Sequence, residues 1–344
     1  MSPVQPTVCA VVVTYGERWQ LLEQVLTGLK SQKASLSAVV VVANGTPYDL
    51  DTRLATVAPG TIGVTLHENR GSAAGYAAGI ARAVALGYDL IWLLDDDNVP
   101  RPDALAQLLR ARRLLGESDQ YLFASLRPDR AKYLQVVYAD AVLTTGRPDS
   151  FMGFSSGEIP RMLSGRLLRR RSTARPQRLA APIKRIDYAV YGGLLFSSTW
   201  VDRVGLPDER YVLYIDDREY TTRISRAGGD IYLVATSIVD DVDRSWHVQV
   251  GAQRIPALLD PAVSEDRVFY TIRNLVWYDR CYTVRWRWRY LLNLTLFLTL
   301  QAVLALARGV APQQLCTRLA LIRTAVADGL RGRLGPRRPP LATS

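Results

Sequence analysis

Three consecutive carboxylates, Asp95-Asp96-Asp97, follow directly on the apolar run Leu90-Ile91-Trp92-Leu93-Leu94. An unbroken apolar run of this length reads as a buried strand, so the triplet falls where that strand ends. Adjacent carboxylates repel one another and are costly to hold together unless a cation or a hydrogen-bond network offsets them. A divalent metal holding a substrate diphosphate is one explanation. A solvated turn with helix-capping acids, ahead of Pro100 and Pro102, is the other. A second stretch, Asn69-Arg70-Gly71-Ser72-Ala73-Ala74-Gly75-Tyr76-Ala77-Ala78-Gly79, opens an Ala-rich helix. Its glycines recur every four residues, so they share one helical face and permit close backbone approach. That suits helix–sheet packing as well as ligand contact, and it is not the GxGxxG of a dinucleotide site. His67 and His247 are the only histidines, which excludes a His-rich zinc site. Cys9, Cys281 and Cys316 are scattered and odd in number, with neither a disulfide framework nor a metal spacing. They suit a reducing cytoplasm.

The elements that must position these groups are legible in the first third of the chain. Residues 8–13 are an unbroken apolar strand, Thr14-Tyr15-Gly16 a turn, and 18–30 carry helical spacing through Leu21, Leu22, Val25, Leu26 and Leu29. Residues 38–42 form a second strand ending at Asn44-Gly45-Thr46, and 62–66 a third. Helices are expected at 72–86 and 104–115, on either side of the strand at 90–94. Strands and helices alternate, which predicts an α/β fold with a mostly parallel sheet covered on both faces. Ligands bind such sheets at the carboxyl ends of the strands, where Tyr15, Asn44 and the Asp triplet all fall. Further on, 133–138 reads as a short strand. Residues 186–196, a helix from Trp200, 211–224 and a strand at 231–234 form a second globular stretch, followed by a helix at 270–278.

The net charge of +11 is unevenly placed: residues 1–100 carry six Lys/Arg against nine Asp/Glu. The basic surplus therefore belongs to the middle and C-terminal parts and points to an anionic partner. No nucleic-acid motif accompanies it, so a membrane surface or a phosphorylated substrate is preferred. Residues 161–178 hold seven arginines and read as a mobile basic loop or a solubilising insertion. Arg285-Trp286-Arg287-Trp288-Arg289-Tyr290 introduces an apolar run over 291–307 that is slightly short for spanning and is interrupted by Asn293, Thr295, Thr299 and Gln301. Basic and aromatic residues at its entrance suit lipid headgroups, so a membrane-surface or partly embedded helix is expected; a soluble packing helix or an oligomer contact is the alternative. The N-terminus lacks the pattern of a signal peptide. These features divide the chain into a domain over 1–250, a helical membrane-associating region over 251–330, and a disordered tail over 331–344.

Four blocks in register carry a resemblance. Val11-Val12-Val13-Thr14-Tyr15, Val41-Val42-Ala43-Asn44-Gly45, Asn69-x-Gly71-x-Ala73-x-Gly75 and Leu93-Leu94-Asp95-Asp96-Asp97 occur in the order and spacing of family 2 glycosyltransferases, which have the GT-A fold. Tyr191-Gly192-Gly193-Leu194-Leu195-Phe196 continues it. Gly205-Leu206-Pro207 and Tyr214-Ile215-Asp216-Asp217-Arg218-Glu219-Tyr220 resemble the galactofuranosyl- and rhamnosyltransferase branch, and Tyr270 with Arg273-Asn274 matches an element that branch carries after the catalytic domain.

The resemblance implies a UDP- or dTDP-sugar donor, Mn²⁺ or Mg²⁺, inverting transfer, and a lipid-linked glycan acceptor at the cytoplasmic face of the cell membrane. Asp95 and Asp97 resemble the metal-holding pair, and Asp96 a contact to ribose or sugar. Thr14, Tyr15 and Glu17 resemble the base- and ribose-binding loop. Asn44 stands where many relatives carry a base-contacting Asp. Arg70 and Gly71 lie in the nucleotide-sugar-binding stretch. Asp217 resembles the catalytic base, with Asp216 the alternative. Relatives often place a metal-binding His after the strand at 231–239. Here Asp241 or His247 would complete the site, or the site lacks a third protein ligand, and Trp246 would pack under the acceptor sugar. The rival class is a non-catalytic binding or scaffold protein that keeps the fold. Oligomeric state is not encoded in these motifs.

Overall fold

The computed structural model describes residues 5–139, 141–158, 182–243 and 257–337. The basic loop at 161–178, Trp246 and His247 lie outside them. The chain divides into two compact units. The first takes the described residues up to 144 with 182–212 and 216–243; the second takes 145–158, 213–215 and 257–337. The boundary expected near 250 falls outside the described residues, and the second unit is discontinuous: two short internal segments group with the C-terminal helices.

The first unit opens with β1 (Val8–Tyr15), α1 (Trp19–Lys30), β2 (Ala38–Asn44), α2 (Leu50–Val57), β3 (Ile62–Leu66), α3 (Ser72–Ala85) and β4 (Leu90–Asp95). It continues with β5 (Asn98–Pro100), α4 (Ala104–Leu114), β6 (Tyr121–Leu126), α5 (Ala131–Tyr138), β7 (Ile183–Ile186), β8 (Leu194–Ser197), α6 (Thr199–Val204), α7 (Asp216–Arg226) and β9 (Asp230–Asp241). The sheet order is β3-β2-β1-β4-β8-β6-β9-β5, with β7 also on β9. From β3 to β4 every pairing is parallel, as the alternating pattern predicts. Beyond β4 the sheet is mixed: β8 runs antiparallel to both β4 and β6, and β9 is antiparallel to β5 and β7. β8 enters from the loop after β7 without a crossover helix, so it is free to run the other way.

Val8 to Val13 are all buried, which is why β1 lacks polar alternation. Each fully buried aliphatic side chain stabilises the fold by roughly 1.5–3 kcal/mol. α3 lies against β1 through its glycines. A Cβ at Gly75 would fall inside contact distance of Val13, and one at Gly79 inside that of Val11. The four-residue spacing is therefore a packing device. The segment 133–138 is the helix α5 and not a strand. Its buried Tyr133, Val136 and Val137 recur at i, i+3 and i+4, the helical period.

The second unit contains α8 (Glu265–Tyr282), α9 (Arg287–Ala307) and α10 (Pro312–Arg331). Buried Asn274 donates from Nδ2 to the carbonyls of Leu213 at 2.7 Å and Tyr214 at 2.9 Å. Of the tail expected to be disordered, residues 331–337 are described, and Arg331 closes α10. The Arg337 guanidinium pairs there with Glu265 at 2.8 Å and Asp266 at 3.0 Å.

Candidate active site

The carboxyl ends of β1 and β4 bring Thr14 beside the acidic triplet. Asp96 turns inward, with its side chain 3% exposed, and accepts from Thr14 Oγ1 at 2.8 Å and from Arg18 Nε at 2.9 Å on both oxygens. Both oxygens hold the first loop to the sheet. Asp95 and Asp97 lie one residue to either side and are 41% and 15% exposed. Asp95 accepts from the Tyr76 hydroxyl at 2.6 Å, and Asp97 from Asn98 Nδ2 at 2.7 Å.

Two arginines that the sequence reading passed over knit this cluster together. Arg18 also donates to Asp97 at 2.8 Å and to Asp243 at 2.8 Å. Arg127, 2% exposed, donates to Asp241 at 2.7 Å, to Asn98 Oδ1 at 3.1 Å and to Asp95 at 3.4 Å. The signal for them was the acidic cluster itself, which demands counter-charge from somewhere in the fold. Gly192 leaves the room: a Cβ there would collide with Asn98 Oδ1 and crowd Arg127 and Asp95.

Even so, Asp97 is pushed up to about 7, by burial first and then by the charges of Asp95, Asp241 and Asp96. An excess of negative charge persists at the strand ends. Hard oxygen donors of this kind fit Mg²⁺ or Mn²⁺. Asp95 and Asp97 would hold the ion, and Asp241, bound to Arg127, stands near. Among the described residues no three His, Cys, Asp or Glu side chains converge as a closed metal site. Magnesium is commonly bound through one or two carboxylates plus substrate phosphates.

Asn44 is buried and spent on the chain. Its Nδ2 donates to the Gly71 carbonyl at 2.8 Å, and its Oδ1 accepts from the Arg70 amide at 2.9 Å. Asn44 thereby clamps residues 69–71. Gly71 has φ +86°, and a Cβ would strike the Val212 carbonyl, so only glycine fits. Arg70 points away from the carboxylates and pairs with Glu209 at 2.7 Å on the surface. Tyr15 and Glu17 are exposed, and the Arg18 guanidinium lies 5.0 Å from the Tyr15 ring centroid.

The second acidic pair begins α7. Asp216 is buried and accepts from Ser72 Oγ at 2.8 Å. Burial, then the adjacent Asp217 charge, pushes it up to about 8. Asp217 is half-buried, accepts from the Arg218 amide at 2.6 Å, and is likewise raised, mainly by burial. Ser72 and Tyr76 are one turn apart on α3, so they share a face. One holds Asp216 and the other Asp95, which ties the two acidic centres to a single helix. The Tyr191 ring packs tilted 4.1 Å from the Tyr76 ring, and its buried hydroxyl has no hydrogen-bond partner among the described residues.

Comparison with known proteins bears on the fold. Residues 9–113 match the sequence model of glycosyl transferase family 2. Galactofuranosyltransferase GlfT1 of Mycolicibacterium smegmatis is 30% identical over 222 residues, which cover 64% of this chain and 66% of the relative, slightly less than two thirds of it. The crystal structure of GalNAc-T7 with UDP, GalNAc and Mn²⁺ superposes with a TM-score of 0.55 at 13% identity, covering 96% of this chain and 57% of that one. At that identity the likeness is one of fold, the GT-A fold.

Proposed function

We propose that this chain, whose residues 9–113 match the sequence model of glycosyl transferase family 2, is an inverting glycosyltransferase. It moves galactofuranose, or less favourably rhamnose, from a UDP- or dTDP-sugar to a lipid-linked glycan acceptor at the cytoplasmic face of a membrane. The galactofuranosyltransferase relative supports the sugar. The observation that carries the reading is α3 holding Asp95 through Tyr76 and Asp216 through Ser72. A donor-side and an acceptor-side carboxylate are thereby tied to one rigid element.

In this reading Asp95 and Asp97 hold Mg²⁺ or Mn²⁺, which when bound neutralises the diphosphate leaving group. Tyr15 offers an exposed ring face to the nucleobase. The acceptor hydroxyl oxygen attacks the anomeric carbon, the bond from that carbon to the phosphate oxygen breaks, and the nucleoside diphosphate departs with the electron pair. The hydroxyl proton passes to Asp217, the more exposed of its pair. Asp216 stays fixed on Ser72 and keeps α7 in place.

Asp217→Asn is expected to lower transfer by about 10²–10⁴-fold, while metal-dependent UDP binding, read by calorimetry, is retained. Full activity in Asp217→Asn together with loss in Asp216→Asn would move the base by one residue. Full activity in both would leave the non-catalytic scaffold as the better account.

A further inference from the structure

We propose that α9 lies in the plane of an anionic bilayer surface, inserted along one face, and does not cross the bilayer. The inference rests on the membrane attachment proposed above and specifies its geometry. By length and composition α9 is able to span: 21 residues, mean hydropathy 1.8 over its most apolar window, and no charged side chain from Tyr290 to Ala307. Its packing within the second unit argues otherwise.

One face of α9 is committed to that unit from the first turn to the last. The Tyr290 hydroxyl donates to Asp279 at 3.1 Å. Asn293 donates to the Asp149 carbonyl and accepts from the Ser156 amide, both at 2.8 Å. The Phe297 ring packs on Phe151 and Phe154, and Ala305 is fully buried. The opposite face is a stripe of exposed apolar side chains: Trp288, Leu292, Leu296, Val303 and Leu306, from 36% to 65% exposed. It extends for about 27 Å at 1.5 Å per residue. An exposed apolar stripe of that length needs a partner.

The flanking helices exclude a spanning orientation. α8 and α10 run side by side in the same direction. Arg318, early in α10, donates to the carbonyls of Asp260 and Pro261 ahead of α8, while Gly329 near its end packs on Arg273 and Val276. α9 connects the end of α8 to the start of α10 and so returns alongside them. Neither neighbour is apolar enough to cross, and both expose charges, including Glu265, Asp266, Arg280 and Arg323. A spanning α9 would draw these into hydrocarbon, where charged groups are strongly disfavoured. Lying in the interface, α9 keeps its docked face on protein and gives the stripe to the acyl chains.

Charge identifies the lipid. Arg285, Arg287 and Arg289 are exposed around Trp286 and Trp288 at one end, and Arg308 is exposed just past the other. Both ends therefore meet the headgroups of one leaflet, and anionic headgroups match them.

The test uses the full chain with Cys281→Ser and Cys316→Ser, leaving only the buried Cys9, and a reporter from Arg287→Cys or Arg308→Cys. Sealed host-membrane vesicles with the cytoplasmic side outward are treated with a membrane-impermeant maleimide. Labelling of both positions without detergent is expected. If Arg308→Cys labelled only after detergent, α9 would span and the in-plane geometry would be wrong, with the attachment intact. If the chain were absent from washed membranes, the attachment itself would fail. On vesicles of phosphatidylglycerol and phosphatidylcholine, Leu296→Glu with Val303→Glu should lower the bound fraction in high salt by about tenfold or more, with an unchanged circular-dichroism melt in solution. Undiminished binding by that folded variant would remove the stripe from the contact.

Discussion

Asp216 is the residue whose environment makes the sharpest claim. Its carboxyl is pushed up to about 8 by burial and by Asp217, against roughly 3.9 in an unfolded chain. Between those values the folded protein keeps a proton that the unfolded chain has released. Stability therefore falls as pH rises through that window, by up to about 1.4 kcal/mol per pH unit. Asp216→Asn retains an oxygen for the Ser72 hydroxyl and has nothing to titrate. Urea midpoints measured from about pH 5 to 8 should decline in the wild type and decline less in the variant. Parallel curves would mean that Asp216 is charged throughout and that the Ser72 hydroxyl offsets its burial. The two carboxylates share one titration, so their activity profile belongs to the pair. kcat/KM is expected to rise toward about pH 8 as the pair's second proton leaves. At this scale the acidic clusters were legible in the sequence, because runs of carboxylates are conspicuous. It hid Arg18 and Arg127, whose contacts join residues 78 and 114 positions apart. It also hid that Asn44 and Asp96 hold loops in place.

At the scale of elements, α3 is the frame of the site. Its glycine face meets β1, and its first two turns present Ser72 and Tyr76 to the acidic centres. Two effects of opposite sign compete in Gly79→Ala. Alanine favours the helix by about 0.8–1 kcal/mol, while overpacking against Val11 and Val42 costs about 1–3 kcal/mol. The contact is with the fully buried β-branched side chains of Val11 and Val42 on two neighbouring strands, which have little room to give. Overpacking should prevail, for a net loss of up to about 2 kcal/mol in urea unfolding. kcat should change little, because Gly79 is a full turn beyond Gly75 and away from the loop at 69–71. A stabilised Gly79→Ala would show that α3 is free to shift on the sheet. Unbroken apolar strands and helical spacing made β1 to β4 and their helices readable. The antiparallel course of β8 was not readable, since strand direction depends on the path of the preceding loop. α5 was mistaken for a strand because eight residues hold too few turns for the two periods to separate by eye.

For the whole molecule, the balance of charge frames the last prediction. The chain carries a surplus of eleven positive charges, yet the strand ends of its first unit, among the described residues, gather Asp95, Asp96, Asp97, Asp241 and Asp243 around Arg18 and Arg127. A diphosphate alone would add negative charge to that crowd and bind poorly. A divalent cation with a nucleoside diphosphate neutralises both at once. Ligand that binds only the folded state stabilises it by about 2.7 kcal/mol at a hundredfold excess over Kd. UDP with Mn²⁺ should therefore raise the melting temperature by several degrees, UDP with EDTA should leave it unmoved, and dTDP or GDP with Mn²⁺ should rank below UDP. A UDP shift that persists in EDTA would transfer the charge-neutralising role from a metal to the two arginines. An absence of any shift with all three nucleotides would count against the donor site as a whole, whatever the fold.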